Sequence, residues 1–211
     1  VDMYDGSAWV GLIPFTMPRF EVSALPSWFV PGSFHECNVR TYVRPADGSG
    51  DPGVYFFSLD ATSRRAVLGA RLRWNLPYFT AAIDYERQGD RLDYTVHRRG
   101  NRDAMLHCTW EAGARLPVSS PGSLEHFLTE RYGLYTAGRD GRLLWGAIDH
   151  DPWPLRSAAV THLQDGLVAA AGVEPASLSR ETVAHHSDAL EVRAWPLAPA
   201  AKVFAGAVSD G

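Results

Sequence analysis

Short stretches of strand-compatible sequence, each closed by turn-forming residues, follow one another along most of this chain. No other feature limits its fold as strongly. Residues 8–15 (AWVGLIPF) are apolar, follow Asp5-Gly6, and meet Pro14 near their end. Residues 36–44 (ECNVRTYVR) read as a strand with two distinct faces. The loop from Pro45 to Gly53 is dense in Pro, Gly, Asp and Ser, the chemistry of turns. Residues 54–59 (VYFFSL) read as a buried strand. Residues 80–88 and 91–98 pair across Gly89-Asp90, a hairpin signal, and 104–111 continues the meander. Further strands are expected near 143–149, 157–163 and 189–196.

Helices interrupt this pattern. In residues 62–76, Leu68, Leu72 and Leu76 recur at helical spacing. Ala66, Leu68, Ala70, Leu72, Trp74 and Leu76 also alternate as in a strand. The segment is therefore predicted as a helix that gives way to a strand near Gly69, with Pro77 ending the element. Residues 123–131 form a helix capped by Ser123. A third helix lies near 165–171, with Gly172 as its C-cap. The pattern predicts one domain over 1–211, mostly β with a few helices (α+β). Its sheet is antiparallel and closes, or nearly closes, into a barrel.

A chain of 211 residues buries roughly 70% of the surface its unfolded form exposes, so it needs no metal or disulfide to fold. Net charge is −4 with no basic tract, which argues against a nucleic-acid partner. No run approaches the ~18 apolar residues of a membrane helix, and no signal peptide is legible. Cys37 and Cys108 read as two buried free thiols of a cytoplasmic protein rather than a disulfide. The first residue is Val1, and a short missing N-terminal segment is expected.

Chemistry can live in a few places. With a period of two, Glu36, Asn38, Arg40, Tyr42 and Arg44 share one face of their strand, and Cys37, Val39, Thr41 and Val43 share the other. The second is a core face. The first either meets solvent, the ordinary reading, or lines a polar cavity. In 91–98, Leu92, Tyr94, Val96 and Arg98 fall on the buried side. Arg98 then either sends its guanidinium to water along a packed stem or reaches a cavity mouth. Arg71 is a candidate carboxylate clamp, since a guanidinium grips a carboxylate through two parallel hydrogen bonds. An internal salt bridge or plain exposure is the ordinary alternative. His150, between Asp149 and Asp151, is a candidate acid/base, with a structural hydrogen bond as the plainer explanation. Adjacent His185 and His186 point opposite ways on a strand and rarely chelate one ion. No metal framework, nucleophile elbow, Walker loop or dinucleotide fingerprint is present, so no metal and no cofactor are expected.

The stretch Gly69–Phe79, with Arg71, Trp74 and Pro77, resembles the active-site segment of acetoacetate decarboxylases. There an arginine, an aromatic and a proline precede two lysines. The lysine positions fall on Tyr78 and Phe79, and the chain's single lysine is Lys202, which reads as a surface residue. Asp5-Gly6-Ser7-Ala8-Trp9-Val10-Gly11, Glu36 with Asn38–Val43, Gly53–Asp60, Leu76-Pro77-Tyr78, Phe127–Tyr132 and His150 with Pro152–Leu155 resemble, in order, an uncharacterised YqjF-like family of bacterial proteins. That family is itself distantly similar to acetoacetate decarboxylase.

The resemblance implies a cone-shaped antiparallel barrel with an internal site. It places Arg71 at the segment's arginine, Glu36 near a pocket glutamate and Tyr78 in the slot of a reactive lysine. Schiff-base decarboxylation is not implied, because the lysines do not match. The leading expectation is a protein that binds a small anionic or carbonyl-bearing organic molecule. Its site would comprise Glu36, Arg40, Arg71, Tyr78, Tyr94 and Arg98, with Glu36 as acid/base, Arg71 as clamp and Tyr78 as proton donor. The alternatives are an interaction or scaffold protein with a filled barrel, and a lysine-independent lyase, isomerase or hydrolase. Whether the even-numbered residues from 36 to 44 face inward separates the first two.

Overall fold

A computed structural model describes residues 1–17, 33–46, 48, 50–138, 140–174, 177–178 and 182–200, with backbone alone for 66, 70 and 72–74. Lys202 lies outside the described residues.

The Gly89-Asp90 turn, with Gly89 at φ 63°, joins β6 (Tyr78–Gln88) to β7 (Arg91–Arg98) in the expected hairpin, and β7 pairs onward with β8 (Met105–Arg115). β11 (Leu155–Asp165) joins β8, and the short β12 (His185–Ser187) joins the start of β11. On the other flank, β4 (Phe34–Val43) lies between β3 (Val10–Met17) and β5 (Gly53–Ala61). Pro14 does not end β3, because among the described residues β3 pairs with β4 alone and an edge strand tolerates a missing N–H. β9 (Gly133–Ala137) and β10 (Leu143–His150) extend the sheet to β13 (Val192–Ala194), and β14 (Ala198–Pro199) pairs with β10. The tiny β1 (Met3–Tyr4) and β2 (Ser7–Ala8) form a separate ribbon.

β5 is the branch point. It pairs in parallel with β6 through Leu59–Ala61 and with β9 through Val54–Tyr55. A parallel neighbour cannot be reached by a tight turn, so the chain crosses over through α1 (Arg64–Trp74). This overturns the expected helix-to-strand switch near Gly69. Alternation suited a strand, but the segment is helical from Arg64 to Trp74 and forms the crossover, a connection usually made by a helix. Asn75, at φ 50°, stops the helix in the left-handed region and its side chain donates to the Ala137 carbonyl at 2.9 Å.

The other two helices fall as expected. α2 (Leu124–Thr129) begins with Ser123 accepting from the His126 amide at 3.2 Å. α3 (Leu167–Ala170) is followed by Gly172 at φ 85°. Its first turn is held by Asp165, which accepts from the Leu167 amide at 2.8 Å.

The large sheet runs from β12 to β13 as a curved sheet, and no closure into a barrel is seen among the described residues. Apolar side chains pack on both of its faces. Cys37, Val39, Ala81, Ile83, Tyr94, Val96, Leu106 and Cys108 belong to one cluster. Tyr42, Val54, Leu59, Leu76 and Leu134 form a second, and Phe34, Ala61 and Val67 a third. Both cysteines are buried free thiols.

Candidate functional site

The register of β4, β5 and β6 decides which candidates meet. Glu36 lies opposite Ala61, and Cys37 opposite Asp60. Leu59 lies beside Tyr78, and Asp60 beside Phe79. Cross-strand partners share a face, so Glu36, Asn38, Leu59, Ala61 and Tyr78 project to one side. Cys37, Asp60 and Phe79 project to the other. Arg98 pairs with Ala81 and therefore falls on the side of Phe79, as Tyr94 does.

On the first side, the Tyr78 hydroxyl donates to Glu36 Oε2 at 3.0 Å. Glu36 is buried. Removal from water disfavours its charged form and is the largest influence on it. The Tyr78 hydrogen bond opposes that effect and the nearby Asp60 charge adds to it, leaving the Glu36 pKa raised from 4.5 to about 8. Burial and the adjacent carboxylate hold the Tyr78 phenol well above its ordinary range. The solvated-face reading of Glu36, Asn38, Arg40 and Tyr42 is thus overturned: all four are buried, and only Arg44 at the strand's end reaches water. Packing exists on both sides of the sheet, and a two-residue period cannot report that.

On the second side, Arg98 Nε and Nη2 each donate to an Asp60 carboxylate oxygen at 2.7 Å. Neither sequence reading of Arg98 holds. Its guanidinium is buried in a two-pronged ion pair and stacks 3.9 Å from the Phe79 ring centre. Asp60 is the residue that sequence reasoning missed. The signal was an acidic residue at the end of an apolar strand, which needs a cation if buried. Tyr94, also on this side, places its hydroxyl 2.8 Å from the Phe15 carbonyl and 2.9 Å from the Glu36 carbonyl. It braces the backbone of Glu36 rather than its carboxyl.

Arg71 is exposed. Its Nε donates to the Tyr78 carbonyl at 2.6 Å, and its guanidinium lies 5.4 Å from the Phe79 ring centre. It therefore fixes the start of β6, the strand that aims Tyr78 at Glu36. His150 sits apart: its Nδ1 meets the Asp151 carbonyl at 2.8 Å and its ring stacks on Tyr132 at 4.7 Å. Neither contact involves Glu36 or Tyr78. His185 and His186 diverge, toward Glu125 and Asp188, and among the described residues no cluster of His, Cys, Asp or Glu is arranged to hold a metal. Two open clefts, of about 330 and 200 Å³, lie along β11 and beside Tyr55, Asn75 and Thr136. Glu36 and Tyr78 line neither.

The fold is similar to that of acetoacetate decarboxylases of known structure. The enzyme from Legionella pneumophila superposes with a TM-score of 0.56 at 15% identity, over 90% of this chain and 73% of that one. A second acetoacetate decarboxylase structure gives 0.53 at 15% identity, over 80% of this chain and 69% of that one. At this identity the likeness is one of fold. Residues 1–191 match the family of uncharacterized conserved proteins designated DUF2071, and the chain belongs to it. It is also similar to the uncharacterized protein YqjF of Bacillus subtilis (strain 168), with 38% identity over 205 residues, 93% of this chain and 79% of that protein.

Proposed function

We propose that the protein binds a small anionic or carbonyl-bearing organic molecule on the sheet face that carries Glu36 and Tyr78, and that this pair exchanges a proton with it. The observation behind this reading is the buried Glu36 carboxyl, hydrogen-bonded by Tyr78 at 3.0 Å, with its pKa raised to about 8. A carboxyl that titrates near neutrality can give or take a proton at working pH. Burying one without a use costs stability. Tyr78 stands where the family resemblance places a reactive lysine, so a Schiff base is not part of the reaction. The class is a lysine-independent acid/base reaction, of lyase, isomerase or hydrolase type. Among the described residues no helix is long and apolar enough to cross a membrane, and the buried free thiols fit the cytoplasm.

The test is exchange of carbonyl-adjacent protons for deuterium, followed by NMR across a panel of small keto acids and ketones. Exchange by the wild type that is lost in Glu36→Gln and reduced in Tyr78→Phe supports the pair's role. Absence of exchange and of binding across the panel between pH 6 and 9 refutes it.

A second reading, an interaction protein with a filled interior, draws on the full burial of Tyr42 and Tyr94 and on the position of both clefts away from Glu36. It predicts no small-molecule binding at all.

A further inference from the structure

Glu36 opens a row of buried polar groups on one face of β4. Asn38 is 4% exposed and Arg40 is 9% exposed. Arg40 Nη2 donates to the Leu128 carbonyl at 3.0 Å, at the end of α2, a role that caps the helix. That bond leaves the charge itself unmatched. Arg40 has no carboxylate partner among the described residues, and its buried Nε has no acceptor.

Its surroundings deepen the imbalance. Arg131 and Arg44 lie in the same corner, and both are bound to Asp2, at 2.7 and 2.8 Å. Arg131 and Arg40 flank the Tyr42 ring, at 5.4 and 5.5 Å from its centre. Asp2 is thus taken up by Arg131 and Arg44, and Arg40 is left without it. A buried, unpaired cation is strongly disfavoured unless an anion reaches it.

Asn38 Oδ1 and the Trp9 indole N–H, also buried on this side, have no partner among the described residues. Trp9 packs on the Tyr42 cluster. Opposite Arg40 stands Gly11, where a Cβ would come within 3.4 Å of the Arg40 stem and 3.2 Å of the Tyr42 hydroxyl. The Arg40 stem and the Tyr42 hydroxyl themselves pack over Gly11.

We propose that Arg40 is the carboxylate-binding end of an elongated ligand site, with the Trp9 N–H and Asn38 beside it and the Glu36–Tyr78 pair at the other end. This rests on the reading of Glu36 and Tyr78 given above. Arg40 lies four positions along the strand from Glu36, about 13 Å of backbone. A two- or three-carbon acid cannot engage both ends. The ligand class is a monocarboxylate whose carbonyl or hydroxyl group lies several bonds from the carboxylate.

The probes are 2-oxopropanoate, 4-oxopentanoate, 6-oxoheptanoate, heptanoate and 6-oxoheptanamide, titrated calorimetrically against the intact chain. 6-Oxoheptanoate binds tightest, and its amide binds at least tenfold more weakly. Arg40→Gln equalises acid and amide, and Arg40→Lys restores most of the difference. Glu36→Gln keeps the acid/amide ratio but abolishes the preference for 6-oxoheptanoate over heptanoate. Equal affinity of acid and amide for the wild type overturns the subsite, and this comparison needs no variant. A ratio that survives in a folded Arg40→Gln overturns it as well. If the ratio behaves as expected but Glu36→Gln changes nothing, the acid/base reading fails and the carboxylate contact stands. Binding of none of the probes overturns both.

Discussion

Arg98 grips both oxygens of Asp60 at 2.7 Å inside the sheet, while the Phe79 ring covers the guanidinium at 3.9 Å. Asp60 also presses on Glu36 from across the sheet, raising its pKa. One buried ion pair thus joins the two faces: it secures β5, β6 and β7 and sets part of the field at the candidate site.

Removing either partner leaves an uncompensated buried charge. Arg98→Met is expected to lower stability by about 3–5 kcal/mol in urea unfolding. The double replacement Asp60→Leu with Arg98→Met recovers much of that loss. A loss below about 1 kcal/mol in the single variant would show that the pair is solvated.

Glu36 makes stability depend on pH with a defined sign. Its folded pKa is about 8, against an ordinary value of 4.5, so between those values the folded chain holds a proton that the unfolded chain has released. Stability from this group is fully present below about pH 4.5 and falls as pH rises toward 8, by roughly 5 kcal/mol at most. The difference between wild type and Glu36→Gln in urea unfolding should change progressively from pH 5 to 8 in favour of the glutamine, then level off. A difference independent of pH would contradict the buried, neutral carboxyl.

Tyr78→Phe removes the hydrogen bond that stabilises the ionised Glu36. The Glu36 pKa should move higher still, extending the pH-sensitive window upward, with a stability loss of about 1–2 kcal/mol at neutral pH. NMR titration of the labelled glutamate carboxyl reads the shift directly, and a downward movement would reverse the assigned role of Tyr78.

The thiols offer a simple check on the core. Burial raises Cys37 well above its ordinary range and Cys108 to about 11, so neither supplies thiolate at neutral pH. Iodoacetamide should leave both unmodified in the native chain and alkylate both in urea, as read by mass spectrometry. Rapid native labelling of Cys37 would place β4 at the surface.

Gly53 carries a close approach of strands. A Cβ there would collide with the Gly133 carbonyl where β5 meets β9. Gly53→Ala should cost about 1–3 kcal/mol by overpacking, and an unchanged melting temperature would argue against the branched pairing at β5.

Local pattern was enough for elements whose signal is local. The Gly89-Asp90 hairpin, the Ser123 cap and the Gly172 helix end depend on a few neighbouring residues and their backbone preferences, and each was legible. So was the family, through phrases spread from Asp5 to Leu155, and with it the decarboxylase-like fold. Glu36 and Tyr78 could be nominated, but their hydrogen bond could not be read from residues 42 positions apart.

What the sequence by itself determined was the supply of strands, the turn chemistry between them and the alternation of side chains along each. Those follow from backbone preference and a period of two. Only the tertiary structure decided which faces are dry. It packed apolar clusters on both sides of β4, which turned an apparently solvated row of Glu36, Asn38 and Arg40 into a buried one. It also brought Asp60 to Arg98 and made α1 a full crossover helix. Each of these depends on partners distant in the chain, and pairing in space carries no periodic signature.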